Sequence, residues 1–131
     1  MPTYLSLFRF TDQGAKNIRD TQGRAAAFRE TARGAGVTVR EVYWLLGTYD
    51  GLVVLEAPDE ETVTALMIGL DAMGNVHTQT MRAFDESEIG GILDRAAGAA
   101  KASARSTPRT GGADGGTRGT ASPGTRAGRT R

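Results

Sequence analysis

The sequence predicts an α+β domain over residues 1–94, in which four antiparallel strands in βαββαβ order carry two helices on one face, followed by an extension over residues 95–131. Three observations carry this reading. Runs of alternating or β-favouring residues stand at 3–10, 37–46, 52–57 and 76–84. Helical periodicity separates the first run from the second and the third from the fourth. Beyond Asp94 the chain contains no Trp, Tyr, Phe, Leu, Ile, Val or Met.

The first strand, TYLSLFRF, sets Tyr4, Ser6, Phe8 and Phe10 on one face and Leu5, Leu7 and Arg9 on the other. Large apolar side chains on both faces predict that each is at least partly covered. Thr11-Asp12 is a capping pair, Ala15 and Ile18 give a short helical turn, and Asp20-Thr21 offers a second cap. Ala25, Phe28, Ala32 and Ala35 then recur at helical spacing until Gly34 and Gly36 supply a stop, so one helix broken near residues 21–23 is expected.

VTVREVYWLL and LVVLEA read as the second and third strands. Between them Gly47-Thr48-Tyr49-Asp50-Gly51 closes a hairpin, because the Asp-Gly pair suits a tight reversal. Pro58-Asp59-Glu60-Glu61 opens a helix with acidic residues where they complement the macrodipole. Its apolar stripe runs through Val63, Leu66, Met67 and Leu70 and ends near Gly74. VHTQTMRAF is the fourth strand, and residues 85–93 add a short helical turn with Ile89, Ile92 and Leu93 docking on the body. The extension from Arg95 has too little apolar surface to offset roughly 1–2 kcal/mol of backbone entropy per ordered residue, which predicts disorder.

Charge divides the chain in the same place. Residues 1–94 hold 8 basic and 14 acidic residues, a balance of −6, whereas residues 95–131 hold 8 basic residues and Asp114 alone, a balance of +7. An acidic body with a basic arm describes the chain better than its net +1. With no cysteine, disulfides, thiolate zinc sites and thiol nucleophiles are excluded. Met1-Pro2-Thr3-Tyr4 lacks a basic n-region before an apolar stretch, and no apolar run nears the roughly 20 residues that span a bilayer. The expectation is a cytoplasmic protein without membrane contact.

The two helices cover one sheet face, while Leu5, Leu7 and the run from Val42 to Leu46 leave the other in need of a partner. A symmetric dimer packed sheet on sheet would supply it. The motif Tyr43-Trp44-Leu45-Leu46-Gly47-Thr48-Tyr49-Asp50 resembles the signature of the GYD domain family. Thr11-Asp12-Gln13-Gly14 with Asn17-Ile18, and Gly74-Asn75-Val76 with Thr78-Gln79-Thr80 and Arg82-Ala83-Phe84, resemble that family's first helix and last strand. The resemblance implies a ferredoxin-like, dimeric α/β barrel fold and a homodimer or larger oligomer. It implies no general reaction, and the tail has no counterpart in it.

Chemistry-bearing residues are few. Tyr49 and Asp50 place a phenol and a carboxylate at one end of the sheet, although turn chemistry alone accounts for most residues there. His77, the only histidine, is the natural acid or base, and it stands alone, which argues against a protein zinc site while leaving a single axial haem ligand open. His77 and Gln79 alternate along the fourth strand with Thr78, Thr80 and Arg82, and a polar-lined cleft between sheet and helices with Trp44 or Tyr4 as an aromatic wall would take a small molecule. The alternative is cross-strand threonine pairing and a surface arginine held by a carboxylate. Trp44, Tyr49, Asp50, His77, Gln79 and Arg82 are therefore the candidate ligand-binding residues, with His77, Tyr49 and Asp50 the catalytic candidates and no metal or cofactor expected. By fold analogy the alternative is a cofactor-free monooxygenase or haem-related enzyme. Spaced cations in the tail could contact phosphates, but without stacking aromatics and diluted by glycine, serine and threonine they argue for a solubilising or tethering arm over nucleic-acid binding.

Overall fold

The computed structural model describes residues 1–106. Two compact units divide the chain, the first over Met1–Glu86 and the second from Ser87 onward. In the first unit the order is β1 (Thr3–Phe10), α1 (Asp12–Lys16), a 3-10 turn (Ile18–Asp20), α2 (Thr21–Gly34), β2 (Thr38–Trp44), β3 (Gly51–Glu56), α3 (Glu60–Ala72) and β4 (Val76–Ala83). The strands form one sheet in the order β2-β3-β1-β4, with β1 antiparallel to both of its neighbours and β2 antiparallel to β3. This is the ferredoxin-like arrangement expected from the sequence.

Alternation along β1 decides which face is core. Tyr4, Ser6 and Phe8 are buried, whereas Leu5 and Leu7 are half-buried and Arg9 is exposed. Tyr4 lies opposite Leu55 on β3 and Ser6 opposite Val53, and both strands pack with Phe28 and Ala32 of α2 and Val63, Leu66 and Met67 of α3. Ser6 is fully buried, and its hydroxyl meets that of Thr80, its partner across β4, at 3.0 Å. This cross-strand hydroxyl pairing removes the penalty of an unpaired buried hydroxyl. Phe8 lies opposite Gly51, and a Cβ on Gly51 would fall 1.9 Å from its ring. A side chain at 51 would have to displace that ring.

The two segments Thr11-Asp12-Gln13-Gly14 and Gly74-Asn75 turn out to be two halves of one latch. The Thr11 hydroxyl caps α1 by accepting from Gly14 N–H at 3.1 Å and donates to the Gly74 carbonyl at 2.6 Å. Thr11 N–H donates to the Asn75 carbonyl at 3.1 Å, and Gln13 Nε2 donates to Met73 O at 3.2 Å and Asn75 Oδ1 at 2.9 Å. Gly14 is buried against the same carbonyl, where a Cβ would sit 2.0 Å from Asn75 O. Gly74, at φ 86°, turns the chain from α3 into β4.

Three boundaries differ from expectation. The first helix breaks at Asn17–Asp20 rather than at 21–23, because Asn17 leaves helical geometry and Arg24 Nη1 donates back to its carbonyl at 2.8 Å. β2 ends at Trp44, since Leu45 N–H turns to donate to Asp50 O at 2.8 Å and closes the hairpin. The third is larger. α4 spans Glu86–Ser106, 21 residues, where the sequence predicts one short turn to Leu93 and disorder from Arg95. The expectation of disorder weighs only burial, whereas Ala96, Ala97, Ala99, Ala100, Ala102 and Ala104 are the strongest helix formers and need no core. The rest of the expected disordered tail, 107–131, lies outside the described residues.

Candidate functional site

α2 packs over β2 at one edge of the sheet and α3 over β4 at the other. Between them, above β3 and β1, lies a cleft of about 740 Å³. Its floor is aromatic and aliphatic: Phe8, Phe10, Val42, Val53 and Val76, with Trp44 at the end of β2. Phe8 and Phe10 meet edge to face, their centroids 5.6 Å apart. The helical walls are lined by one stripe each, Thr21, Ala25, Phe28 and Thr31 from α2 and Thr62, Ala65, Leu66 and Gly69 from α3. The spacing of each stripe is that of one helix face. Small side chains at Ala25, Ala65 and Gly69 hold the space open, and a Cβ added to Gly69 would meet nothing within 4 Å.

The charged side chains of the lining are Arg24 and Glu61. Arg24 directs Nη1 to Asn17 O at 2.8 Å and Nη2 to Gly14 O at 3.4 Å, so carbonyls of α1 and its C-cap anchor the guanidinium. Glu61 lies in the first turn of α3, beside the helix cap, where the Asp59 carboxylate accepts from Thr62 N–H at 2.8 Å. That hydrogen bond holds the Asp59 pKa below its ordinary value.

The structure separates the six residues that the sequence groups as ligand-binding. Trp44 lines the cleft, and its indole Nε1 donates to Thr21 Oγ1 at 3.0 Å, tying β2 to the start of α2. Arg82 points to the same side of the sheet but at its β4 edge, with its guanidinium 4.3 Å from the Phe84 ring centroid and 5.8 Å from that of Tyr4. It borders a smaller hollow of about 320 Å³ with Tyr4, Thr80 and Asp71. Arg82 is thus stacked on rings at the edge of the sheet. Tyr4, the alternative aromatic wall, is 3 % exposed and belongs to the core.

His77 and Gln79 alternate with Val76 and Thr78, and so lie on the opposite sheet face from the cleft. The Tyr49 hydroxyl donates to Gln79 Oε1 at 2.7 Å, and the Arg9 guanidinium covers the Tyr49 ring at 5.4 Å. His77 is exposed and faces Arg9 across the ladder. Asp50 is engaged in the backbone: its Oδ2 accepts from Phe10 N–H at 2.9 Å and its own N–H donates to Phe8 O at 2.8 Å. The carboxylate thereby carries the β1–β3 ladder past its last residue pair. The expected polar-lined cleft is instead apolar, because the polar residues of β4 face away from it or pair locally, as Thr78 Oγ1 does with Asp71 Oδ1 at 2.8 Å.

Sequence reasoning misses the cleft's main lining, Phe8, Phe10 and Phe28, which read as helix- and strand-packing residues alone. The signal is present in Ala25, Ala65 and Gly69, small residues at inward positions of both helices.

A profile of the GYD domain matches residues 4–93. The chain belongs to the GYD domain family. A relative from Thermus thermophilus, named a glutamine synthetase and cystathionine beta-lyase binding protein, is 34 % identical over 90 residues, covering 68 % of this chain and 95 % of its own. Among solved structures, FFRP-DM1 is similar at a TM-score of 0.48 and 22 % identity, over 64 % of this GYD chain and 100 % of that chain. A hypothetical protein from Pyrococcus horikoshii is similar at a TM-score of 0.47 and 23 % identity, over 66 % and 93 %. Within the described part of this GYD protein no helix is long and apolar enough to cross a membrane, and no three His, Cys, Asp or Glu residues gather where they could hold a metal ion.

Proposed function

We propose that this GYD domain is a homo-oligomeric accessory protein, which works by binding other molecules rather than by transforming them. The observation that supports this is the sheet face turned away from the helices. Leu5 and Leu7 of β1 and Leu52 and Val54 of β3 form its half-buried apolar centre, with Tyr43 and Met81 exposed at 50 % and 40 % on the flanking strands. Arg40 and Glu56, paired at 3.1 Å, and Glu41 give it a charged border. Glu41 also accepts from the Tyr43 hydroxyl at 2.8 Å, which raises the Tyr43 pKa above its ordinary value. An apolar centre inside a charged border is the anatomy of an association surface. A second copy laid face to face would cover it, and the Thermus relative's name, which describes binding to two enzymes, is consistent with an accessory role.

Light scattering on the full chain at micromolar concentration tests the reading. The expected mass is that of a dimer or a multiple of it, and Leu7→Lys, a charge in the centre of the face, moves it toward the monomer with the far-UV circular dichroism unchanged. A monomer mass for the natural chain would refute self-association through this face.

A further inference from the structure

We infer that the cleft between α2 and α3 is a binding site for small molecules that join an apolar ring to a protonated amine, with the ring on the phenylalanine floor and the amine at Glu61. Its volume, about 740 Å³, falls within the roughly 300–1,000 Å³ range of small-molecule sites. Phe8, Phe10, Phe28 and Trp44 present ring faces and edges to one space, which favours a flat apolar group over a flexible polar one. Ala25, Ala65 and Gly69 keep that space clear.

Charge selects the polar end of the ligand. Arg24 is anchored by the carbonyls of Asn17 and Gly14 at the α1 end of the cleft and forms no ion pair with Glu61, which stands at the start of α3. The Glu61 carboxylate makes no hydrogen bond or ion pair within the described residues, so it is the group at the rim left to receive a ligand. Asp59 and Glu60 precede it, so three successive carboxylates stand at this end of the cleft, where the local field attracts cations and repels carboxylates.

Trp44 is the chain's single tryptophan, so its emission reports on the cleft without labelling. The test titrates the full-length protein with a matched pair, 4-phenylbutylamine and 4-phenylbutyrate, at low ionic strength. The amine is expected to change Trp44 emission saturably and to bind about five- to tenfold more tightly than the carboxylate, because the amine is attracted to one exposed carboxylate that repels the acid. Glu61→Gln should bring the two probes within about twofold of one another. Gly69→Leu fills the cleft from a position with open space around it, and should weaken the amine by at least about tenfold. Ala65→Met fills it from the neighbouring turn, so that a folding defect in one variant does not decide the outcome. No saturable response to either probe, equal affinity of the natural protein for both, or unchanged binding in both filled variants would overturn the inference. Loss of probe binding as protein concentration rises would also overturn it, by showing that a second copy occupies the cleft. None of these outcomes bears on self-association through the other sheet face.

Discussion

Gly14→Ala is the sharpest test of the latch that joins the start of the first helix to the start of the last strand. In an ordinary helix this exchange stabilises by about 0.5–1 kcal/mol. Here the new Cβ would stand 2.0 Å from Asn75 O, an ångström inside the 3.0 Å that Cβ atoms do not cross, and the obstacle is backbone. Relief requires α1 and the Gly74–Asn75 turn to move apart. Four hydrogen bonds span that gap: Thr11 N–H to Asn75 O, the Thr11 hydroxyl to Gly74 O, and Gln13 Nε2 to Met73 O and to Asn75 Oδ1. At about 0.5–1.5 kcal/mol each, losing or stretching them costs about 2–4 kcal/mol, and the helical gain leaves a net loss of about 1–3 kcal/mol. For a domain of this size that lowers Tm by roughly 5–20 °C. Thermal unfolding followed by circular dichroism measures it, with Gly23→Ala as the control, since Gly23 lies in α2 with nothing within 4 Å of its Cβ position. The control should be stabilised by up to about 1 kcal/mol. If both variants shift Tm in the same direction, the latch does not require glycine and the reasoning fails.

Other predictions rest on separate contacts. Gly51→Ala drives a Cβ into the Phe8 ring and should destabilise by about 1–3 kcal/mol in urea unfolding, with Phe8→Leu recovering part of the loss in the double variant. Asp50→Ala should cost about 1–3 kcal/mol by orphaning Phe10 N–H, whereas Asp50→Asn, which keeps an acceptor, should cost less. Asp59 has a lowered folded pKa, so its contribution is complete above the unfolded value near 4 and is lost as pH falls through the folded one. Asp59→Asn, which still caps α3, should therefore show a shallower fall in Tm than the natural chain between about pH 5 and 2. An unchanged acid limb would remove Asp59 from the account.

Element order and the grouping of side chains by face were legible because alternation and helical spacing write them directly: Tyr4, Ser6 and Phe8 share one face of β1, and Val63, Leu66 and Met67 one stripe of α3, although which face of β1 is core came only from the packing. The hairpin at Asp50-Gly51 was legible in outline, but its carboxylate serves the Phe10 amide, a pairing 40 residues apart that no local pattern states. The candidate site was legible only in part. Trp44 lines the cleft, whereas His77 and Gln79 lie on the opposite face, because the direction of each β4 side chain depends on its register against β1. The cleft's emptiness is a matter of what Ala25, Ala65 and Gly69 lack, and residues that do nothing locally leave little trace in a sequence. The length of α4 was missed for a different reason, since alanine propensity needs no partner to be expressed.

The alternation of β1 has an evolutionary consequence. Even-numbered residues such as Phe8 belong to the cleft side and odd-numbered ones such as Leu7 to the opposite surface, although they are neighbours in the chain. Point substitutions can thus retune one surface while the other is inherited intact. A single-residue insertion or deletion in this strand would exchange the two sets at once. Lineages of such a protein are free to drift in partner and ligand independently, provided that the length of their first strand does not.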